Sequence, residues 1–265
     1  MQIPQSFLDA IKQTSVPQFK YFHSIGSTNQ EALNWLELDA PDGAIVFADH
    51  QSSGRGRFNR NWVTQPESAI AVSVIIRPSI SELESISLFS PLAAIALTDV
   101  LQSELGINAQ IKWPNDVLID RMKTSGILTE TLWNGNQVLG LVVGVGINVL
   151  PGSIPPSELL QFPATCLQNH CSALINRFSV LTSLLNSFSI WRSRLQLPEF
   201  MNQWQKSLAF RDETVYIKQK DGTVQISGTL KGITSTGDLE LVTENNQIHT
   251  ITVGDVHLRP GEPEN

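Results

Sequence analysis

Residues 51–62 read Gln-Ser-Ser-Gly-Arg-Gly-Arg-Phe-Asn-Arg-Asn-Trp, and no other stretch limits so sharply what this chain can fold into. Arg55, Arg57 and Arg60 fall within six residues of a chain whose formal net charge is −7. Such a segment is a poor core element and a good anion clamp. Its glycines let backbone N–H groups approach a ligand together, and each guanidinium offers a planar donor fork matched to carboxylate or phosphate. Trp62, at its end, is suited to packing on an aromatic ring or an apolar body. The same composition also describes a flexible surface loop or a weak nucleic-acid patch, so the loop alone fixes no function.

The rest of the chain narrows the field. Its acidic balance argues against a dedicated nucleic-acid binder, whose phosphate affinity comes from clustered Lys and Arg. An apolar share of 41% and a charged share of 16% describe an ordinary globular protein, and 265 residues suffice for one or two domains with a sizeable core. Residues 1–15 lack the basic start and apolar run of a secretory signal, and the apolar stretch 138–150 is too short and glycine-rich to span a bilayer. These features predict a cytoplasmic protein with no membrane partner. Cys166 and Cys171, flanking His170, are too few for a structural zinc site or a disulfide framework and are read as buried or idle thiols.

Residues 7–22 hold too little for a helix-turn-helix domain. Thr28 and Glu31 have capping-box spacing, predicting a helix with Ala32, Leu33, Trp35 and Leu36 on its apolar face. Residues 43–48 and 69–76 read as buried strands, and 91–105 as a helix between them and the next motif. Residues 111–119 look like two strand pieces broken at Pro114-Asn115-Asp116, a bulge or turn that would aim Lys112 and Asp116 out of the sheet. Residues 126–133 and 137–149 form a predicted hairpin across Asn134-Gly135-Asn136. Gly144-Val145-Gly146 lacks the third glycine and following helix of a dinucleotide fingerprint, and no Walker A sequence occurs. Its glycines are better read as places where a ligand or backbone comes close. Amphipathic helices follow at 178–195 and 199–208, then short β-rich runs at 215–218, 224–230, 239–242 and 248–253, predicting a small barrel.

Four segments in order carry a resemblance: the Arg loop, Lys112-Trp113-Pro114-Asn115-Asp116, Lys123-Thr124-Ser125-Gly126-Ile127-Leu128-Thr129-Glu130, and Gly144-Val145-Gly146-Ile147-Asn148. Together they resemble the biotin protein ligases, which adenylate biotin and attach it to a lysine of a carrier domain. The resemblance covers essentially the whole chain. It implies an α/β (α+β) fold: a mixed sheet backed by helices, class II synthetase-like, over residues 1–210, then an SH3-like barrel over 211–265. Some members carry an N-terminal DNA-binding domain and act as repressors, a role that residues 7–22 do not suggest here.

The resemblance also implies roles. Ser27, Thr28 and Asn29 match the family's Ser-Thr-Asn, whose hydroxyls bind the ureido ring of biotin. Gln51, Arg55, Arg57 and Lys123 face biotin and the acyl phosphate, with Lys123 bridging carboxylate and α-phosphate. Arg60, Trp62, Asn115 and Asn148 serve the nucleotide. Lys112 and Asp116 join Lys123 and Arg57 in catalysis, Asp116 either with Mg²⁺ or as a base. The implied substrates are biotin and ATP with Mg²⁺, and the implied partner is a biotin carboxyl carrier protein; a homodimer is compatible with this reading. One departure stands out: Asn59 occupies the loop's usual third glycine, and Asn tolerates left-handed backbone. Two other readings compete. A lipoate or octanoate transferase shares the fold, though the Arg loop with Trp62 and the barrel favour biotin; a non-enzymatic regulator binding a small anion is the third.

Overall fold

The computed structural model describes residues 2–57, 60–63, 65–156, 158, 160, 162–218, 224–252 and 257–260. Asn59, Val253 and the turn at Asp221-Gly222, on which three sequence expectations fall, lie outside them. The chain opens with α1 (Gln5–Ile11) and β1 (Phe19–Phe22), followed by α2 (Thr28–Glu37) and β2 (Ile45–Ala48). Two short strands, β3 (Gly54–Arg55) and β4 (Asn61–Trp62), enclose the arginine loop and precede β5 (Ala69–Ile76). Next come α3 (Ile80–Leu83), α4 (Phe89–Leu105), β6 (Ala109–Lys112), β7 (Asp116–Ile119), β8 (Met122–Asn134) and β9 (Gln137–Asn148). Helices α5 (Arg177–Ser193) and α6 (Pro198–Ser207) lead to β10 (Thr214–Lys218), β11 (Val224–Ile233), β12 (Leu239–Val242), β13 (Ile248–Ile251) and β14 (His257–Pro260).

Seven strands form one mixed sheet in the order β1-β2-β5-β9-β8-β7-β6, with β1 and β2 parallel and the other pairs antiparallel. Every residue of β5 is buried because helices cover both faces. Ile45, Phe47, Val72 and Val74 join α4 and α5 in the main core, while Val46, Ile75 and Val142 pack on Ala32 and Leu36 of α2. That two-sided burial explains why β5 reads as an apolar run, broken at Ser73 alone, instead of an alternating one. The segment Ile86–Leu105 is long and apolar enough to cross a membrane by length and composition, with mean hydropathy 1.4. Its Leu92, Ile95, Leu97 and Leu101 are instead wholly buried under the sheet. Sequence patterning placed a helix at 91–105 but took 138–150 as the longest apolar stretch, which Ile86–Leu105 outruns.

Cap chemistry sets the helix ends. Gly106 closes α4 in the left-handed region at φ 66°, and Asn176 caps α5 by accepting from Phe178 N at 2.9 Å. At α2 the expected cap is displaced by one residue: Ser27 accepts from Gln30 N, and Glu31 pairs with Lys20 at 2.8 Å. The neighbouring hydroxyl, Thr28, is engaged elsewhere. The C-terminal strands form a separate five-stranded antiparallel sheet, β13-β12-β11-β10-β14, whose last strand the sequence did not reveal.

Candidate functional site

Cross-strand partners in a sheet share a face. Following the register across six strands gives one continuous row, Ala48, Ala71, Gly146, Gly126, Asp116 and Lys112. Two alanines and two glycines keep the middle of this row low, and the row ends on a carboxylate and an ammonium. Above the low stretch lies a cavity of about 430 Å³. Gly144, one row further along β9, leaves room for Asn29: a Cβ there would sit 2.1 Å from Asn29 Oδ1. A Cβ on Gly146 would meet the Trp62 indole at 2.5 Å. The close approach expected at these glycines is therefore made by two side chains of the site itself.

One end of the cavity is neutral. The N-terminus of α2 points into it, bringing Ser27, Thr28 and Asn29, all buried. Gln51 Oε1 accepts from the Thr28 backbone N–H at 2.8 Å and from its hydroxyl at 3.0 Å. Ser73 Oγ lies 2.8 Å from Thr28 Oγ1 and 2.6 Å from Asn29 Oδ1. Asn29 Nδ2 donates to Leu128 O at 3.1 Å and to Glu130 Oε2 at 2.8 Å, so acceptors on one side fix which way the amide faces. This network suits a small polar ring that needs both donors and acceptors.

The other end is cationic. Lys123 Nζ is 2.6 Å from Asp116 Oδ1, and Lys112 Nζ is 3.7 Å from Asp116 Oδ2. Burial alone would raise the Asp116 pKa; Lys123 and Lys112, with Arg57 behind them, outweigh it and hold the carboxyl below its ordinary 3.8. Asp116 is thus ionised at neutral pH. Arg57 Nη1 donates to Asn115 Oδ1 at 3.3 Å, and Asn115 is fixed by a 2.8 Å bond from its Nδ2 to Ile127 O. Asn148, buried on the wall, donates to Thr165 O at 3.1 Å. Arg55, Arg60 and Trp62 complete the lining.

The arginine loop is held as a ribbon, with Gly54 opposite Trp62 and Arg55 opposite Asn61. Glycine is required at 54, where a Cβ would lie 2.5 Å from Trp62 O. Trp62 lies over Gly126 and Gly146 with Lys123 Nζ 5.9 Å from its ring, and its indole N–H is buried without a hydrogen-bond partner among the described residues.

All thirteen residues singled out in the sequence line this one cavity. Pro114 does break the strand pair, but β6 and β7 form a tight hairpin that pairs Lys112 with Asp116 directly. Sequence reasoning missed Ser73 and Glu130 as functional candidates. Ser73 sits inside an apolar run, where a lone hydroxyl was the available signal; Glu130 closed a quoted motif but bonds a residue 101 positions away. Cys166 and Cys171 are free thiols, and the described residues contain no cluster of three or more His, Cys, Asp or Glu that could hold a metal.

Comparison with known proteins fits this geometry. A model of the biotin/lipoate A/B protein ligase family matches residues 21–148, and one of the biotin protein ligase C-terminal domain matches 212–259. A bifunctional ligase/repressor BirA of Bacillus spizizenii is 38% identical over 63% of this chain and 51% of its own length. The chain spans about half the length of that relative and of its Bacillus subtilis counterpart, at 51% and 55%. A biotin–[acetyl-CoA-carboxylase] ligase of Paracoccus denitrificans is 33% identical over 81% of this chain and 90% of its own length. The solved Aquifex aeolicus biotin protein ligase, in complex with biotin and ATP, superposes with a TM-score of 0.79 at 26% identity, covering 92% of this chain and 100% of that one. Two family models met in order, and a ligase relative followed along nine-tenths of its length, leave one conclusion: this chain belongs to the biotin protein ligase family.

Proposed function

We propose that the chain activates biotin as biotinyl-5'-AMP and transfers it to a lysine of a biotin carboxyl carrier protein. One observation carries the reading: a single cavity joins a neutral hydrogen-bonding end to a cationic end across a floor of alanine and glycine. Biotin has the matching polarity, a ureido ring at one end and a carboxylate at the other. Ser27, Thr28, Asn29 and Gln51 receive the ring. Arg55, Arg57 and Lys123 receive the carboxylate, which attacks the α-phosphate of ATP; the phosphoanhydride bond breaks and pyrophosphate leaves. Negative charge gathers on carboxylate and phosphate together, and fixed cations in a water-poor site stabilise that arrangement most. Arg60, Trp62, Asn115 and Asn148 hold the nucleotide.

In the second step a neutral lysine amine attacks the acyl carbon and AMP departs. Asp116, with its depressed pKa, is a weak proton acceptor and a good electrostatic one. Its role in this reading is to hold Lys112 and Lys123 in place and to attract the incoming lysine. Mg²⁺ bound with ATP takes most of its ligands from phosphate and water, and Asp116 is the one carboxylate among the described lining residues. The ion would neutralise phosphate charge. Residues 1–210 form the biotin- and ATP-binding unit, residues 211–265 a C-terminal unit, and the reaction runs in the cytoplasm.

The match to the biotin protein ligase C-terminal domain supports biotin over lipoate or octanoate. The test is to incubate the chain with ATP, Mg²⁺, a carrier domain and each acid in turn. Pyrophosphate release and a labelled carrier lysine are expected with biotin; neither, in the presence of active carrier, would remove the assignment.

A further inference from the structure

Glu130 lies outside the cavity lining, yet it touches both ends of the machinery. Its Oε2 accepts from Asn29 Nδ2 at 2.8 Å, and its carboxylate pairs with Arg55 Nη2 at 3.3 Å. Asn29 in turn meets Ser73 at 2.6 Å, and Ser73 meets Thr28 at 2.8 Å. An unbroken polar path therefore runs from the ring-end hydroxyl to the carboxylate-end arginine. Among the described residues Arg55 has one further side-chain partner, Gln30 Oε1 at 3.3 Å, and it too is reached through Nη2. Among the described residues both anchors act on one nitrogen, Nη2.

Resting on the biotin reading, we propose that Glu130 is a positioning residue that pre-orients Arg55 toward the ligand carboxylate and ties it to the ring end through Asn29. A long arginine side chain loses rotamer freedom when it binds, and a neighbour that restricts it beforehand removes part of that cost. Arg55 is more than one-third exposed along its side chain, at 38%, so Coulomb attraction to Glu130 contributes little by itself. The value of the pair lies in direction.

This separates Glu130 from a residue that merely supports the fold. Its effect must be clearly larger for a ligand carrying a carboxylate than for one without, because Leu128 O still holds Asn29 Nδ2 at the ring end. The experiment measures binding of biotin, and of the analogue whose carboxylate is a primary alcohol, to wild type and Glu130→Gln. Immobilising one long side chain corresponds to roughly a three- to tenfold change in Kd, so biotin should weaken by that factor and the alcohol by less than about twofold. In an Arg55→Met background the Glu130→Gln change should add nothing for biotin. If the Gln variant folds poorly, Glu130→Asp, one methylene shorter, replaces it with the same asymmetry expected. Equal weakening of both ligands, no weakening of either, or full additivity with Arg55→Met would overturn the proposal. A wild type that binds neither ligand would instead overturn the biotin reading itself.

Discussion

Outside the cavity lining Arg192 faces two carboxylates, with Nε 2.7 Å from Glu82 and Nη1 2.8 Å from Asp42. In the cavity the proportions are reversed: five cationic side chains, Arg55, Arg57, Arg60, Lys112 and Lys123, share the described lining with Asp116 alone. Both clusters hold carboxylates below their ordinary pKa against the opposing pull of burial. They differ in the ratio of cations to carboxylates. Around Arg192 the positive charge is answered by two carboxylates, and the cluster ties α3 to α5. Around Asp116 one carboxylate orders two lysines, and among the described lining residues cations outnumber carboxylates. A site for an anion is thus recognised by imbalance more than by the presence of ion pairs.

The largest test of this contrast is Lys123→Ala. Loss of one cation from a preorganised anion site should slow adenylate formation by about 10²- to 10³-fold, while biotin affinity falls less than about tenfold. Single-turnover pyrophosphate release beside calorimetry gives both numbers, and equal losses would reduce Lys123 to ground-state binding. Arg57→Gly should still make the adenylate but hold it poorly. One charge-assisted bond contributes about 1.5–3 kcal/mol, which corresponds to roughly ten- to a hundredfold faster escape. Escaped anhydride acylates any nearby lysine, so label should rise on a bystander protein at equal adenylate formation; unchanged bystander labelling would withdraw that role.

Arg192→Ala addresses the other cluster. Leaving Glu82 half-buried and unpaired should lower unfolding stability by about 2 kcal/mol, read from urea denaturation, with adenylation per folded molecule unchanged. A loss of rate at constant stability would erase the distinction between the clusters. The smallest effect is in acid. Asp116 has a folded pKa depressed from 3.8, so its contribution to stability is fully present above that value and fades as pH falls through the folded pKa. The stability difference between wild type and Asp116→Asn should be flat from neutral pH down to about 4 and shrink only below it. A difference that disappears near pH 6 would mean the lysines do not hold the carboxylate.

The elements legible in the sequence were those whose information is local. Strand β5 was readable from its apolar run, the β8–β9 hairpin from Gly135, and α5 from its periodic leucines. Helix α1 and strand β1 were not, since Pro4 offers α1 no capping side chain and Phe19-Lys20-Tyr21-Phe22 does not alternate. The cap of α2 was misplaced by one residue for a similar reason. Ser27 and Thr28 are equivalent as neighbours, and only Gln51, which accepts from both the backbone and the hydroxyl of Thr28, decides between them. The site residues were legible as a set because their types are unusual in company. What joins them, the row of small residues across the sheet, exists only once the register is known.

Trp113 carries a last consequence, one for inheritance and exchange. It lies between Lys112 and Pro114, almost wholly buried, and its indole N–H donates to Gly237 O at 3.0 Å, a carbonyl in the turn between β11 and β12. Gly237 adopts φ 87°, and a Cβ there would press into Trp204 at 2.8 Å. The turn that aims two catalytic candidates is therefore fastened to the C-terminal sheet through one backbone oxygen. A chimera that grafts on a relative's C-terminal segment must reproduce that oxygen's position, or the graft will fold while the distant turn loosens. The two parts of this chain are joined as a matched pair, not as interchangeable cassettes.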